Sequence, residues 1–210
     1  MKSERLWNRL AGNWDKPGVA LGENDKKIIA KVREYLNRDS VILDYGCATG
    51  SVILELAGNV KKTYGLDISS KMIDKAKQKA SERKTDNVSF VQGTIFSKNL
   101  KESSFDVILA SNVLHLAETT PEVLNRVHLL LKPNGVFITV NPCLKEKNLI
   151  SVILRAFLFL ARLVGLLPKT NLFTDRKLVK LIDAAGFQIV ENASLTSKMI
   201  DERYISAKKI

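Results

Sequence analysis

The stretch that decides the fold is Val41-Ile42-Leu43-Asp44-Tyr45-Gly46-Cys47-Ala48-Thr49-Gly50. Its first three residues predict a short buried strand, which ends at an acid. Two glycines bracket a tight turn, and the apolar spacing of residues 52–57 predicts a helix directly after it. A strand, a glycine turn and a helix start together indicate the opening of a nucleotide-binding α/β unit.

Three positions narrow the choice of ligand, because a glycine turn of this kind serves several cofactors. A dinucleotide site favours glycine at position 48, where the pyrophosphate approaches the backbone, and this chain has Ala48. Asp67 ends a second predicted strand, where its carboxylate can accept hydrogen bonds from two ribose hydroxyls. Asp44, just before the turn, suits a cationic ligand better than a pyrophosphate. Ala48 and the missing third glycine argue against a nicotinamide-dependent oxidoreductase.

Further motifs extend the pattern along the chain. Residues 44–50 and Asp67 are followed by residues 105–115 (FDVILASNVLH) and 131–137 (LKPNGVF). In this order and spacing, the motifs resemble those of the class I S-adenosylmethionine-dependent methyltransferases, in particular their small-molecule, UbiE-like branch. The resemblance implies S-adenosylmethionine as the cofactor. It also implies a doubly wound, Rossmann-like α/β fold with a seven-stranded sheet, mostly parallel with an antiparallel last strand, and helices on both faces.

The resemblance further implies a set of cofactor-binding residues near the carboxyl ends of the predicted strands. The set comprises Asp44, Gly46, Cys47, Ala48, Gly50, Asp67, Ile68, Met72, Thr94, Ile95, Ser111 and Asn112. Met72 is expected to pack against the adenine, and a core methionine is the alternative. Thr94 stands where many relatives carry an acid that holds the adenine amino group, so an uncharged hydrogen bond is expected there instead.

Little catalytic machinery is required for this chemistry. A sulfonium is already a strong alkylating agent, so the protein mainly has to align the methyl group with its acceptor and exclude water. The sequence shows no catalytic triad and no metal-ligand cluster. His115 is the candidate general base and a candidate acceptor-binding residue, because of its type and its place after the fourth strand. A histidine that only shapes the pocket is the alternative. Trp14 and Phe157 are the other candidate acceptor-binding residues.

Two segments depart from the regular alternation of strands and helices. Residues 1–24, which contain Trp7 and Trp14, are predicted either to cap the site or only to pin a terminal helix to the core. Residues 141–173 are predicted to form a helical lid insertion after the fifth strand, because residues 149–167 are almost continuously apolar. That stretch approaches the roughly 20 apolar residues of a spanning helix, yet the sheet must be completed afterwards on the same side. A helix in a membrane interface, with peripheral membrane contact, is one alternative, and a helix hairpin buried against its own domain is the other.

Length and composition fit one domain over residues 1–210. The two cysteines form no disulfide or metal framework and the N-terminus lacks the apolar core of a signal peptide, so a cytoplasmic location is expected. The chain carries 33 basic against 22 acidic residues, a net charge of +11. Its lysines are dispersed and have no interleaved aromatic residues, which favours a solvated surface over a nucleic-acid site.

Two motifs bear on nucleic-acid substrates. Residues 111–114 (SNVL) differ from the Asn/Asp-Pro-Pro-aromatic motif that accompanies amino-group methylation of bases. A Pro-Cys pair at Pro142-Cys143 follows the wrong strand for a cytosine nucleophile. The resemblance to the small-molecule branch, together with the apolar residues 149–167, implies methylation of a small hydrophobic or amphipathic molecule, and the mismatched motifs predict no specific nucleic-acid partner. A nucleic-acid methyltransferase and a non-catalytic cofactor-binding protein of the same fold are the alternatives.

Overall fold

The structure is a computed structural model that describes residues 2–15, 21–144, 171, 173–196 and 200–210. The helices are α1 (Lys2–Leu10), α2 (Glu23–Arg33), α3 (Ser51–Ala57), α4 (Ser70–Glu82), α5 (Thr120–Leu130) and α6 (Asp175–Ala184). The strands are β1 (Val41–Tyr45), β2 (Lys62–Asp67), β3 (Val88–Gln92), β4 (Phe105–Ser111), β5 (Leu131–Leu144), β6 (Phe187–Ser194) and β7 (Ile200–Lys209). Short 3-10 helices follow α1 (Ala11–Asn13) and β4 (Leu114–Leu116).

The seven strands form one sheet in the order β3-β2-β1-β4-β5-β7-β6. Strands β1 to β5 pair in parallel, whereas β7 is antiparallel to both of its neighbours. The strand order reverses between β1 and β4, and ligands of open α/β sheets bind beyond the strand ends at such a point. The predicted fold, with its single antiparallel strand, is confirmed.

Alternate residues of the central strands face opposite sides of the sheet, and each side has its own core. In β4, Val107 and Leu109 pack with the core that α2, α3 and α4 cover, whereas Ile108 and Ala110 pack with the core under α5 and α6. A strand that is buried on both faces needs a continuous apolar run, and residues 107–110 supply one. The sheet therefore has helices on both faces.

The predicted boundaries of the two irregular segments are wrong. Helix α2 begins at Glu23, so the N-terminal cap segment ends before it rather than at residue 24. Residues 141–144 belong to β5 and pair with residues 200–203 of β7, so no insertion begins at residue 141. The sequence did not indicate that β5 continues through residues 141–144, because Pro142 has no amide hydrogen to donate to a neighbouring strand. It is tolerated here because pairing of β5 with β4 ends at Val140.

The segment after β5 returns to the sheet at Phe173, which forms a parallel bridge with Cys143. The predicted lid helix over residues 149–167, and Phe157 within it, lie outside the described residues. Within the ranges that the structure does describe, none of the helices is both long and apolar enough to cross a membrane.

Candidate functional site

A cavity of about 580 Å³ opens beyond the carboxyl ends of β1 to β4. The wall residues that end or follow these strands are Tyr45, Gly46, Ala48, Asp67, Ile68, Gly93, Thr94, Ser111, Asn112 and Val113, and Met72 of α4 is also on the wall. The remaining wall consists of Ser3, Leu6, Trp7 and Trp14 from the N-terminal segment, Phe96, residues 116–119, Glu122 and Val123. The cavity therefore lies where the sheet topology predicts a ligand.

The glycine turn after β1 keeps its backbone close to the sheet. Gly46, Ala48 and Gly50 all have positive φ angles, of 80°, 46° and 75°. The amides of Gly46 and Cys47 both donate to the carbonyl oxygen of Leu66 in β2, over 2.7 and 3.1 Å. This arrangement turns the chain sharply between β1 and α3 and leaves open space above the strand ends.

Asp67 is fixed in place by the turn and by the start of α4. Its Oδ2 accepts a hydrogen bond from the amide of Ala48 over 3.0 Å, and its Oδ1 accepts one from the amide of Ser69 over 2.8 Å. Burial raises the pKa of Asp67, while the backbone hydrogen bonds oppose the shift. A carboxylate has about four acceptor positions, so Asp67 can still accept hydrogen bonding from a ligand in the cavity.

Asp44 lies beneath the turn and is only 3% exposed. Burial raises the pKa of Asp44 to about 7, and the charges of Asp67 and Asp25 add to the shift. Asp44 does not line the cavity itself. A cationic ligand group near this carboxyl would favour its ionised form.

The titration of Asp44 should be visible in stability measurements. Its pKa is about 7 in the folded chain, against about 4 for an unfolded aspartate. Between these values the folded chain binds more protons, so the contribution of Asp44 to the free energy of unfolding falls as pH rises from about 4 to about 7. We expect Asp44→Asn to flatten this fall, as measured by urea unfolding across that pH range. Equal slopes in both proteins would contradict the expectation.

The N-terminal segment is fastened to α4 and to the glycine turn by polar side chains. The Oδ1 atom of Asn8 accepts hydrogen bonds from the Ser69 hydroxyl over 2.6 Å and from the Lys71 amide over 3.2 Å. Asp15 pairs with Lys79 over 2.8 Å and accepts a hydrogen bond from the Thr49 hydroxyl over 2.9 Å. Asn8 and Asp15 therefore attach this segment beside the cavity.

Two tryptophans of the N-terminal segment, Trp7 and Trp14, line the cavity. The rings of Trp7 and Trp14 meet edge to face, with centroids 6.0 Å apart, and both side chains line the wall. Trp14 is 46% exposed, so it does not serve to pin a helix into the core. Its predicted role in acceptor binding stays a prediction.

The structure brings most of the predicted cofactor-binding residues to the cavity wall. Those on the wall are Gly46, Ala48, Asp67, Ile68, Met72, Thr94, Ser111 and Asn112. Asp44, Cys47, Gly50 and Ile95 are not on it. Cys47 and Ile95 are buried beneath the wall, and Gly50 lies at the start of α3. The predicted contacts of these four residues with the cofactor stay predictions.

His115 also lies off the wall, although its neighbours Leu116 and Ala117 line it. Its carbonyl oxygen accepts a hydrogen bond from the Asn171 amide over 2.6 Å, and its buried Nδ1 finds no hydrogen-bond partner among the described residues. Burial lowers the pKa of His115, and the side chain of Asn141 opposes the shift. The imidazole is therefore held largely neutral at pH 7, as a general base must be, but its catalytic role stays a prediction.

Sequence reasoning missed the far wall, which is formed by residues 116–119, Glu122 and Val123. No local motif marks them, although their place after β4 was a usable signal. The charged residues on the wall, Asp67, Glu118 and Glu122, are all acidic in a chain with a net charge of +11. Such a lining attracts a cationic ligand. Among the residues with described positions, no group of three or more His, Cys, Asp or Glu could hold a metal ion.

Comparison with known proteins identifies the protein family to which the chain belongs. Residues 36–172, more than half of the chain, match the family described as "Methyltransferase domain". The chain belongs to this family and is a class I S-adenosylmethionine-dependent methyltransferase domain, as the motifs predicted, and its cofactor is S-adenosylmethionine. The cavity fits this cofactor, because Asp67 keeps free acceptor positions on a wall whose charged residues are acidic.

Three known proteins show how similar individual relatives are to this chain. The chain is 30% identical to a demethylmenaquinone methyltransferase from Lactococcus lactis over 140 residues, which are 63% of this chain and 55% of that protein. It therefore spans about half the length of that relative. The structure of YcgJ from Bacillus subtilis superposes with a TM-score of 0.72 at 18% identity, over 90% of this chain and 99% of that one. The structure of the [4+2]-cyclase SpnF superposes with a TM-score of 0.78 at 15% identity, over 99% of this chain and 94% of that one. At these identities the two structures show the fold alone.

Proposed function

We propose that this chain transfers the methyl group of S-adenosylmethionine to a small hydrophobic or amphipathic acceptor. The observation that carries the proposal is a cavity whose wall combines two kinds of lining. The wall presents the fixed carboxylate of Asp67 beside the glycine turn, and it also presents aromatic and aliphatic side chains, among them Trp7, Trp14 and Leu116.

The polar lining suits the cofactor. Asp67 accepts the ribose hydroxyls, while Ile68, Met72 and Thr94 surround the adenine, and Thr94 contributes a hydroxyl rather than a charge. Met72 is almost fully buried and also lines the wall, so it packs into the core and borders the ligand at once. The bound cofactor supplies an activated methyl group on a sulfonium.

The apolar lining suits the acceptor. Leu6, Trp7, Trp14, Phe96 and Leu116 contribute apolar surface to the wall. Their packing around an apolar molecule excludes water and restricts its orientation, which is most of what this transfer requires. The apolar composition of residues 149–167 and the quinone named for the Lactococcus lactis relative both favour an acceptor of this kind. A cytoplasmic location goes with the proposal, because Cys47 and Cys143 are free thiols.

One specific observation favours a second candidate function. SpnF, which shares the fold over nearly the whole chain, is described as a [4+2]-cyclase. A chain of this fold can therefore catalyse a reaction other than methyl transfer. The second candidate is a protein that binds the cofactor without transferring its methyl group.

A transfer assay separates these possibilities. The protein is incubated with cofactor tritiated in the methyl group and, in parallel, with an organic extract of membranes or with total RNA. We expect label in the organic phase and its loss with Asp67→Ala. Label in RNA at stoichiometric yield would identify a nucleic-acid methyltransferase. Tight cofactor binding without label in either fraction would favour the cyclase-like candidate.

Binding to nucleic acid is expected to be weak and independent of sequence. The surplus of basic residues is a general electrostatic attraction, which depends on counterion release. We expect affinity for a fluorescent RNA to fall roughly tenfold or more between 50 and 200 mM salt, as measured by anisotropy. An affinity that persists at 200 mM salt and differs between RNA sequences would contradict this prediction.

A further inference from the structure

Three large apolar side chains at the rim of the cavity are exposed. Leu10 at the end of α1 is 41% exposed, Trp14 is 46% exposed, and Phe96 after β3 is 50% exposed. Trp14 and Phe96 also line the cavity, so the apolar surface runs from the interior of the site out to solvent. Exposed apolar side chains beside a cavity are a sign of an interaction site.

Basic residues lie beside this apolar rim. Arg5 and Arg9 are exposed and four residues apart, which places them on one side of α1. The exposed Lys71 lies next to α1, because its amide donates to the side chain of Asn8. The acid of α1, Glu4, accepts a hydrogen bond from the side chain of Gln92 over 3.0 Å. The rim surface, defined as Arg5, Arg9, Leu10, Trp14, Lys71 and Phe96, is therefore both cationic and apolar. The exposed acids of the cavity wall, Glu118 and Glu122, follow β4 and are not part of it.

We propose that the rim surface docks the mouth of the cavity onto an anionic phospholipid bilayer. Stable attachment to a membrane surface needs two signals, and the rim surface has both. The guanidinium groups and the ammonium are attracted to anionic headgroups, and Leu10, Trp14 and Phe96 enter the interface, where tryptophan is enriched.

The contacts between the N-terminal segment and α4 keep the residues of the rim surface in fixed positions. The hydrogen bonds of Asn8 to α4 and the ion pair between Asp15 and Lys79 hold α1 and Trp14 in one orientation. Docked in this way, the cavity opens directly towards lipid, and an apolar molecule reaches it without crossing water. The docking goes beyond the proposed function and does not depend on it, because attachment requires no turnover.

Vesicle flotation tests the basic part of the rim surface. The full chain is mixed with vesicles of phosphatidylcholine alone or of phosphatidylcholine with phosphatidylglycerol. We expect flotation only with the anionic vesicles, and a partition coefficient lowered about 25-fold in Arg5→Gln/Arg9→Gln, at about fivefold for each basic residue. Arg176→Gln/Lys180→Gln is the matched control, since it removes an exposed basic pair with the same spacing from α6, and it should float like the wild type.

Tryptophan fluorescence tests the apolar part. The chain has two tryptophans, so Trp7→Phe leaves Trp14 as the sole reporter. We expect its emission to shift to shorter wavelength on anionic vesicles and to be quenched by brominated acyl chains. Leu10→Gln, at another exposed position, should weaken flotation, and Leu129→Gln on α5 should not.

The proposal fails on any of three results. They are a wild type that does not float, equal flotation of the Arg5/Arg9 and Arg176/Lys180 variants, and an unquenched Trp14 on a protein that floats. Retention of the wild type by RNA but not by vesicles, at the same salt concentration, would reassign the basic residues to nucleic acid. Thermal unfolding of each variant verifies that it is folded.

Discussion

Asp67→Ala is expected to lower the affinity for S-adenosylmethionine by about 10²- to 10⁴-fold. The substitution removes hydrogen bonds from a charged acceptor to two ribose hydroxyls, each worth roughly 1.5–3 kcal/mol. It also leaves the amides of Ala48 and Ser69 without their present partner, which loosens the glycine turn. Calorimetric titration with S-adenosylmethionine or S-adenosylhomocysteine measures the loss.

Asp106→Ala is the matched control for this experiment. Asp106 is also a carboxylate held in the sheet, because it accepts a hydrogen bond from the Val41 amide and pairs with Lys132, over 2.7 and 2.8 Å. It lies at the opposite end of the strands from the cavity. The variant should unfold at a lower temperature and still bind the cofactor normally. Unchanged affinity in a folded Asp67→Ala protein would refute the site, and a preference for NAD would refute the class.

Gly50→Ala is expected to lower the free energy of unfolding by about 2–5 kcal/mol. The φ angle of Gly50 is 75°, and the left-handed conformation costs a residue with a side chain about 1–2 kcal/mol. A Cβ there would also lie 2.7 Å from the ring of Phe90, and such overpacking costs about 1–3 kcal/mol more. Thermal unfolding should show a fall of roughly 5–15 °C.

Two further variants separate the strain from the clash. Gly58→Ala is the control, because a Cβ there meets nothing within 4 Å and the φ angle is already helical at −64°. In the double variant Gly50→Ala/Phe90→Leu, the smaller side chain should remove the clash but not the strain. A double-mutant cycle then measures the coupling between the two positions. A melting temperature of Gly50→Ala equal to that of the wild type would show that the turn is not as constrained as described.

Some features of the site were set by the sequence alone, because they depend on short-range geometry. The strand, glycine turn and helix of residues 41–57 form where the local pattern predicts them. The position of Asp67 at the ligand-binding edge could also be predicted, because a polar residue at the end of a buried parallel strand faces the edge where ligands bind. The hydroxyls of Ser69 and Thr174 cap α4 and α6, because each accepts a hydrogen bond from the amide three residues later in the chain. Such N-caps are also a local sequence signal.

Other features were decided only by tertiary packing, which joins residues distant in sequence. The ring of Phe90 fills the space that Gly50 and Gly65 leave open, and nothing near any one of these residues indicates the others. The hydrogen bonds of Asn8 with the start of α4, and the place of Glu118 and Glu122 on the cavity wall, depend on how whole helices pack. Local sterics fix backbone conformation within a few residues, whereas the meeting of side chains across elements depends on the packing of the entire sheet and its helices. The sequence by itself therefore determined the class of cofactor site, and the tertiary structure decided the shape, charge and exposed rim of the cavity around it.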